Sequence, residues 1–261
     1  MASPNRPWHG TLAIAPGRAV YIGPAGDTER HRHHAIQVAV ALDDPVLVVL
    51  PDESTTDCWA AVVGPDVQHA IDARGSWVGL YYVEGDSEEG RILSVALGPS
   101  GWAVPARPVA SALEGSFRNL PPDPVDDDLR LLGAEIAGAL GLCKSEETPS
   151  ADEVVDAAIA TLKKVVPGEI RAAGLADRVG VPQRDLSAAF RRVTGLSIRS
   201  YVLWLRLQLS VRALAGGSNL TEAAHAAGFA DGAHMSRVFR DTFGVPPSIG
   251  VGRARILSQQ P

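Results

Sequence analysis

The chain has 261 residues, of which 46% are hydrophobic and 21% are charged, enough apolar material for one large or two modest folded domains. This composition excludes disorder as the default state. No run of about 18 uncharged apolar residues occurs, and the first ten residues lack the regions of a signal peptide, so we expect a cytoplasmic protein without a membrane partner.

The net charge of -6 conceals an asymmetry between the two halves of the chain. Residues 1–149 hold 10 Lys and Arg against 21 Asp and Glu, whereas residues 150–261 hold 14 against 9. An acidic half joined to a basic half indicates two separate tasks. The basic half makes a polyanion a candidate partner.

Residues 1–118 consist of short apolar runs broken by Gly and Pro at roughly ten-residue spacing. The runs are LAIAPGRAVYIGPAG, AIQVAVALDDPVLVVLP, CWAAVVGPDVQHAI, SWVGLYYVEG and RILSVALG. Their length and their Val, Ile, Tyr and Trp content predict strands of a small β-sandwich or barrel. We expect no helical periodicity in this region.

Residues 119–150 are predicted to form a linker that contains one helix. Three prolines and four acids in RNLPPDPVDDD indicate an exposed connection. A helix over about 127–142 follows from the spacing of Leu129, Leu132, Ile136 and Leu140. Its apolar face could pack on the first domain or on a second copy of the chain in a dimer, and the sequence leaves both open.

Residues 151–261 are predicted to be helical and to contain an internal repeat. Two short helices around a glycine turn at Gly180 return 48 to 49 residues later around Gly228. Between them VLWLRLQLSVR alternates apolar and polar residues like a strand. We predict a helix over 198–215 instead, because a lone strand between helical pairs would have no partner.

Two helices joined by a short glycine turn form a helix-turn-helix arrangement. The second helix of each pair can enter the major groove of B-DNA, where every base pair shows a distinct pattern of donors and acceptors. Two copies on a helical spacer could place two such helices in successive grooves, about 34 Å apart.

The stretch from Leu175 to about Pro247 resembles the DNA-binding domain of AraC/XylS-type transcription regulators. The motifs that carry the resemblance are AFRRVTGLS, YVLWLRL, AAHAAGFAD and SRVFRDTFGVPP. It implies an all-α domain with two helix-turn-helix units over residues 151–261, binding to double-stranded promoter DNA, and an N-terminal domain for sensing or dimerisation. A homodimer and RNA polymerase are further expected partners.

The resemblance also implies which side chains face DNA. The predicted DNA-binding residues are Gln183, Arg184, Ser187, Ala188, Arg191, Arg192, His234, Ser236, Arg237 and Arg240. Arg184 and Arg237 are the expected base readers, because arginine can bind guanine O6 and N7 with two hydrogen bonds. Arg191, Arg192 and Arg240 are expected at phosphates or in solvent.

Three histidines lie within four positions in ERHRHHAIQ. On a strand His31, His33 and Gln37 share one face, while His34 points away. With His69 from GPDVQHAI, this pattern resembles the metal-binding signature of cupin β-barrels, with Gln37 in the place of the usual glutamate. The resemblance implies a cupin-like barrel over residues 1–118 and a candidate site for Zn, Ni, Cu or Fe. A small-molecule pocket or a structural role is the alternative.

The sequence therefore predicts an α+β protein of two domains: an N-terminal cupin-like β-barrel and a C-terminal all-α domain with two helix-turn-helix units. The predicted function is a sequence-specific transcription regulator, not an enzyme, controlled by a ligand or metal. A constitutive regulator with a purely dimerising first domain, or a cupin metalloenzyme such as a dioxygenase fused to a DNA-binding domain, are the alternatives.

Overall fold

A computed structural model describes residues 8–142, 152–251 and 254–256. The chain divides into two compact units. The first comprises Met1–Thr148 together with Arg240–Pro261, and the second comprises Pro149–Phe239. The end of the predicted linker, residues 143–150, lies outside the described residues.

The first unit contains two sheets. Its strands are β1 (Thr11–Ala15), β2 (Arg18–Pro24), β3 (Ala35–Ala41), β4 (Val46–Val49), β5 (Thr55–Cys58), β6 (Ala60–Val63), β7 (Ala70–Asp72), β8 (Trp77–Glu84), β9 (Trp102–Ala103) and β10 (Ala254–Ile256). Seven strands form one sheet in the order β10-β1-β2-β8-β3-β6-β9, and three form another in the order β5-β4-β7. β10 pairs with β1 in parallel, whereas the other pairings are antiparallel.

The larger sheet is buried on both faces along its inner strand β3, which lies between β8 and β6. Val38 and Val40 face a cluster that also contains helical residues, while Ala39 and Ala41 face a cluster shared with the smaller sheet. All seven residues of β3 are buried. A strand covered on both sides favours apolar residues at every position. This explains the sequence AIQVAVA, in which Gln37 is the one polar residue.

The prediction of a cupin-like β-barrel is not confirmed, because the sheet does not close. The smaller sheet has three strands of three or four residues. Apart from the pairings between named strands, the described residues form only two isolated β-bridges, Asp27↔Asp72 and His31↔His69. The two sheets therefore share no continuous ladder, which a closed barrel would require. The strand-rich character of residues 11–84 was predicted correctly.

The absence of helices before residue 118 was wrongly predicted. The structure has α1 (Glu88–Ser94), a 3₁₀ segment (Val95–Ser100) and α2 (Arg107–Arg118). Ala110, Leu113 and Phe117 of α2 are buried at helical spacing against the large sheet. The ring of Phe117 occupies the space that a Cβ on Gly79 of β8 would need. Three buried residues among Ser, Pro and Gly give too short a stripe to stand out in the sequence.

The predicted linker helix is present as α3 (Asp126–Ala139) and packs on the first domain. Leu129, Leu132 and Ile136 are fully buried in the core beneath the large sheet. Arg18 of β2 reaches Asp126 at its first turn at 3.2 Å. The buried stripe therefore covers the sheet and is not left for a second copy.

Seven helices follow residue 152 in the described part of the chain, and those before Arg240 belong to the second unit. The helices are α4 (Glu153–Val165), α5 (Ala172–Val179), α6 (Gln183–Thr194), α7 (Ile198–Ala215), α8 (Leu220–Ala226), α9 (Gly232–Phe243) and α10 (Pro247–Gly250). None of the helices in the described part of the chain has the length and apolar composition needed to cross a membrane.

The helix predicted over 198–215 is confirmed as α7, despite its strand-like alternation. The Ser197 hydroxyl accepts a hydrogen bond from the Ser200 N–H at 3.1 Å and caps its first turn. Tyr201, Trp204 and Leu205 are buried at helical spacing. Packing of this face decides the structure where the local pattern favoured a strand.

Candidate nucleic-acid interface and histidine cluster

Both predicted helix-turn-helix units are formed, α5 with α6 and α8 with α9. Gly180 and Gly228 begin the turns in the left-handed conformation, with φ of 74° and 78°. A side chain with a Cβ is strained there, which is why glycine occupies both positions. Gly195 and Gly244 end the second helix of each pair in the same conformation, with φ of 75° and 69°.

Helix α6 exposes the residues predicted to face DNA. Leu186 and Phe190 are fully buried and fix one side of the helix within its compact unit. The predicted residues Gln183, Arg184, Ser187, Ala188 and Arg191 are exposed. Of these, Arg184, Ala188 and Arg191 lie on the side of the helix opposite to Leu186 and Phe190. Pro182 is the N-cap and makes no side-chain capping bond. The first turn of α6 therefore carries no capping side chain that would cover its outer face.

Arg192 is held within the second unit. Its guanidinium donates to the carboxylate of Asp152 at 2.7 Å, although the arginine side chain remains 69% exposed. Asp152 also caps α4 by accepting a hydrogen bond from the Val155 N–H. The bridge joins α6 to the start of α4, so Arg192 has a structural role beside its predicted role at a phosphate.

Helix α9 offers fewer uncommitted polar groups. Arg237 and Arg240 are exposed. The Ser236 hydroxyl donates to the carbonyl of Gly232 at 2.8 Å, within its own helix. The half-buried ring of His234 packs edge-on against Phe229, with the ring centroids 5.5 Å apart. Two of the four predicted contacts on this helix therefore already bond or pack within the protein.

Sequence reasoning missed Asp231 as the residue that begins α9. Its carboxylate accepts a hydrogen bond from the His234 N–H at 2.6 Å. That bond, with a smaller contribution from the charge of Arg237, lowers the pKa of Asp231. An Asp that precedes a helix and accepts a hydrogen bond from the N–H three residues later is a common helix-start signal. The sequence shows this Asp as the last residue of GFAD.

The four residues of the predicted metal site converge in the first unit. His31 and His69 are paired through their backbones, each N–H donating to the other's carbonyl at 2.9 Å. The ring centroids of His33 and His69 are 5.1 Å apart, and those of His31 and His69 are 4.3 Å apart. One ring nitrogen from each histidine lies within 4.8 Å of the others, and all three residues are buried.

Gln37 completes the cluster from β3. Its Oε1 lies 2.9 Å from Nε2 of His33 and 3.0 Å from Nε2 of His69. Its side chain points to the same face of β3 as Ala39 and Ala41, between the two sheets. His34, predicted to point away, does so: it is buried and its Nε2 lies 3.0 Å from a carboxylate oxygen of Asp86.

The other nitrogen of each ring faces a backbone carbonyl. Nδ1 of His31 lies 2.8 Å from the Glu29 oxygen, that of His33 lies 2.8 Å from the Ala35 oxygen, and that of His69 lies 2.9 Å from the Val67 oxygen. A carbonyl oxygen only accepts, so each Nδ1 carries the proton. Each Nε2 is then left with a lone pair in the neutral ring.

Burial keeps these rings neutral. It lowers the pKa of His31 to about 3, with a further contribution from the nearby His33. It also lowers the pKa of His33 and, more strongly, of His69. Three Nε2 lone pairs and the Gln37 oxygen thus meet with no proton among them. A cation would satisfy all four acceptors, and rotation of the amide would instead donate its two N–H bonds to His33 and His69.

Comparison with known proteins connects the helical part of the chain to DNA-binding proteins. A family model described as a helix-turn-helix domain matches residues 175–249. The transcriptional activator RhaS of Pectobacterium atrosepticum is 32% identical over 105 residues, which cover 40% of this chain and 38% of that protein. RhaS of Pectobacterium carotovorum is 31% identical over the same length. The chain thus matches well under half of the length of these curated relatives.

Solved structures share the fold over most of the chain. The apo form of a ToxT variant from Vibrio cholerae superposes with a TM-score of 0.65 at 11% identity and covers 93% of this chain and 98% of its own. A structure of wild-type ToxT bound to an unsaturated fatty acid superposes with a TM-score of 0.56 at 12% identity, covering 91% and 96%. These likenesses show an architecture of an N-terminal sheet domain and a C-terminal helical domain.

Proposed function

We propose that this chain, whose residues 175–249 form a helix-turn-helix domain of the AraC/XylS type, is a sequence-specific DNA-binding transcription regulator controlled through its N-terminal domain. The observation that carries the proposal is the pair of helices α6 and α9, each with a buried aromatic side and an exposed side bearing arginines. A regulator of this kind acts on promoter DNA in the cytoplasm, and RNA polymerase is the partner expected there.

Selection of duplexes from a random library by the full-length protein tests this function. We expect the protein to enrich a sequence with two half-sites about one helical turn apart, one for each recognition helix. Binding to the enriched duplex should persist against excess random duplex, because base contacts add to the salt-dependent phosphate term. Enrichment of no sequence over random DNA would contradict the proposal.

The control of DNA binding is the finer part of the proposal. One of the ToxT structures contains a bound unsaturated fatty acid, which makes a small-molecule effector a reasonable expectation for a protein of this fold. In this chain, however, the polar groups that converge in the first unit are three imidazoles and an amide. They favour a divalent metal ion such as Zn, Ni, Cu or Fe as the effector, held by His31, His33, His69 and Gln37.

The hydrogen bonds around the cluster suit a metal site. Metal-binding histidines usually donate the second ring N–H to a carbonyl or carboxylate, which fixes the ring and directs its lone pair at the ion. All three histidines have such a carbonyl partner at 2.8 or 2.9 Å. Gln37 supplies a neutral oxygen where a glutamate would supply a charge, so we expect Gln37→Glu to bind the ion more tightly.

Elemental analysis of the purified protein tests the metal. We expect a stoichiometric transition metal in the wild type and its loss in the double variant His31→Ala, His33→Ala. The matched control is His34→Ala, which removes a buried histidine outside the cluster. Metal-free wild-type protein with full and unregulated affinity for its selected duplex would instead favour the constitutive regulator, whose first domain serves a homodimer. Light scattering of the full-length protein measures that dimer independently.

A further inference from the structure

The glycine that ends the second recognition helix lies against the histidine cluster. Gly244 follows α9 directly, and its N–H donates to the carbonyl of Arg240 at 2.8 Å, which closes the last turn of the helix. Residues 240–261 belong to the first compact unit, as does the segment that carries His31. Gly244 is buried.

A short series of hydrogen bonds connects His31 to this glycine. Nδ1 of His31 donates to the carbonyl of Glu29 at 2.8 Å. The N–H of the same Glu29 residue donates to the carbonyl of Gly244 at 2.8 Å. One residue, Glu29, therefore orients the imidazole through its carbonyl and the end of α9 through its amide.

Gly244 also leaves no space between itself and the cluster. A Cβ on this residue would lie 2.5 Å from the Glu29 oxygen, 2.6 Å from Nδ1 of His31 and 2.8 Å from Cβ of Thr28. Contacts under 3.0 Å force something to move. One of these neighbours is a nitrogen of the His31 ring, and another is the carbonyl oxygen to which that nitrogen donates. Gly195, the equivalent glycine at the end of α6, would place its Cβ in open space.

We propose that metal occupancy of the histidine cluster is coupled to the C-terminal end of helix α9 through Glu29 and Gly244. This coupling rests on the metal effector proposed above, and it names the residues through which metal binding affects α9. Coordination fixes the His31 ring, the ring fixes the Glu29 peptide, and that peptide fixes the last turn of α9. Because α9 carries Arg237 and Arg240, the position of its end bears on the groove contacts.

Coupling of this kind is reciprocal, so a change at Gly244 must alter the affinity for the ion. The test compares Gly244→Ala with Gly195→Ala in the full-length protein. Both substitutions place alanine at a left-handed position with nearly the same φ, 75° at Gly195 and 69° at Gly244. They differ in what the new methyl group meets, which isolates the contact with His31.

We expect Gly244→Ala to weaken Zn²⁺ binding about 10-fold to 100-fold, the usual effect of disturbing the hydrogen-bond partner of a metal-binding histidine. Competition of Zn²⁺ between the protein and a chelating dye measures this. Gly195→Ala should bind Zn²⁺ as the wild type does. Equal affinities of the two variants, or equal losses in both, would overturn the coupling.

Hydrogen exchange of the wild-type protein gives a second measurement that needs no variant. Adding Zn²⁺ should slow exchange at the amides of Glu29 and Gly244, while the amide of Gly195 exchanges unchanged. Exchange slowed at Glu29 alone would overturn the connection to α9 and leave the metal site intact. Affinity of each protein for the selected duplex, measured without metal, reports separately on the DNA-binding function.

Discussion

At an offset of 49 residues, Leu186 and Phe190 of α6 correspond to Met235 and Phe239 of α9, and all four are buried. The exposed sides follow a different rule. Arg184 corresponds to Ala233, and Arg237 corresponds to Ala188. The two helices therefore share their buried residues, whereas the exposed arginine differs in position by about one helical turn.

The two helices also differ in how many of their polar groups are engaged within the protein. Ser187 is exposed, whereas its counterpart Ser236 bonds to the carbonyl of Gly232. Gly195 ends α6 in open space, whereas Gly244 ends α9 against Thr28, Glu29 and His31. Helix α6 therefore makes fewer such contacts than α9, and the glycine that ends α9 lies against the histidine cluster.

The largest expected effect tests whether the two cores are equivalent. Phe190→Ala and Phe239→Ala should each lower the free energy of unfolding by about 3 to 5 kcal/mol, because each removes a buried aromatic ring and leaves a cavity. Urea denaturation followed by circular dichroism measures both. Arg184→Ala, on the exposed side of α6, is the control and should change stability by about 0.5 kcal/mol or less. A cost under about 1 kcal/mol for either phenylalanine would break the equivalence.

The next effect tests the shifted arginines. Arg184→Ala and Arg237→Ala should each cost about 1 to 3 kcal/mol of DNA binding and relax the preference at one base pair. Because the two arginines lie one helical turn apart in the repeat, the relaxed positions should differ in their placement within the two half-sites. A panel of single-base variants of the selected duplex measures this.

One outcome of this measurement would contradict the prediction that Arg184 and Arg237 read bases. If either alanine variant loses affinity equally for every duplex in the panel, that arginine contacts phosphate and does not read a base. Arg184→Lys and Arg237→Lys sharpen the distinction, since lysine keeps the charge and loses the paired hydrogen bonds to guanine. A base reader should lose its preference in both the Ala and the Lys variant.

A smaller effect on DNA binding is expected from the arginines that occupy equivalent positions in both helices. Arg191 corresponds to Arg240, and both are exposed. Each Ala variant should weaken binding uniformly across sequences and reduce the salt slope of log K by about 1. Arg192→Ala is the matched comparison, because its side chain bridges to Asp152. We expect it to change the salt slope less than Arg191→Ala, and a larger change would show that DNA competes for that side chain.

The helical part of the molecule was predictable because its signals are local and repeated. Glycine turns, buried residues at helical spacing and a second copy at a fixed offset predicted α5 to α9. The helix α7 required the additional argument that a lone strand would have no partner. What the sequence could not show is which polar groups are already engaged. Arg192 bonds to Asp152, which lies 40 residues earlier in the chain. The Ser236 hydroxyl bonds to Gly232 within its own helix, a bond that a helical serine can make or leave unmade.

In the N-terminal part, the sequence predicted the strand content correctly but did not show whether the sheet closes into a barrel. Strand content follows from Val and Ile patterning, but whether a sheet closes depends on strand lengths and stagger, which were not visible for strands as short as β7 and β9. Alternation on a strand predicted His31, His33 and Gln37, and the resemblance to the cupin signature added His69. His31 and His33 in fact precede β3. The convergence of the four residues comes from the backbone bridge between His31 and His69 and from Gln37 on β3.

The smallest expected effect distinguishes two serines at equivalent positions. Ser187→Ala removes an exposed hydroxyl that can reach a base or phosphate, so we expect a loss of about 0.5 to 1.5 kcal/mol in binding to the selected duplex. Ser236→Ala removes a hydroxyl that already bonds to its own helix, so DNA affinity and base preference should stay as in the wild type. Competition binding with the wild-type protein resolves the difference. Equal losses would mean that Ser236 gives up its bond to Gly232 on the DNA, and α9 would then read bases as freely as α6.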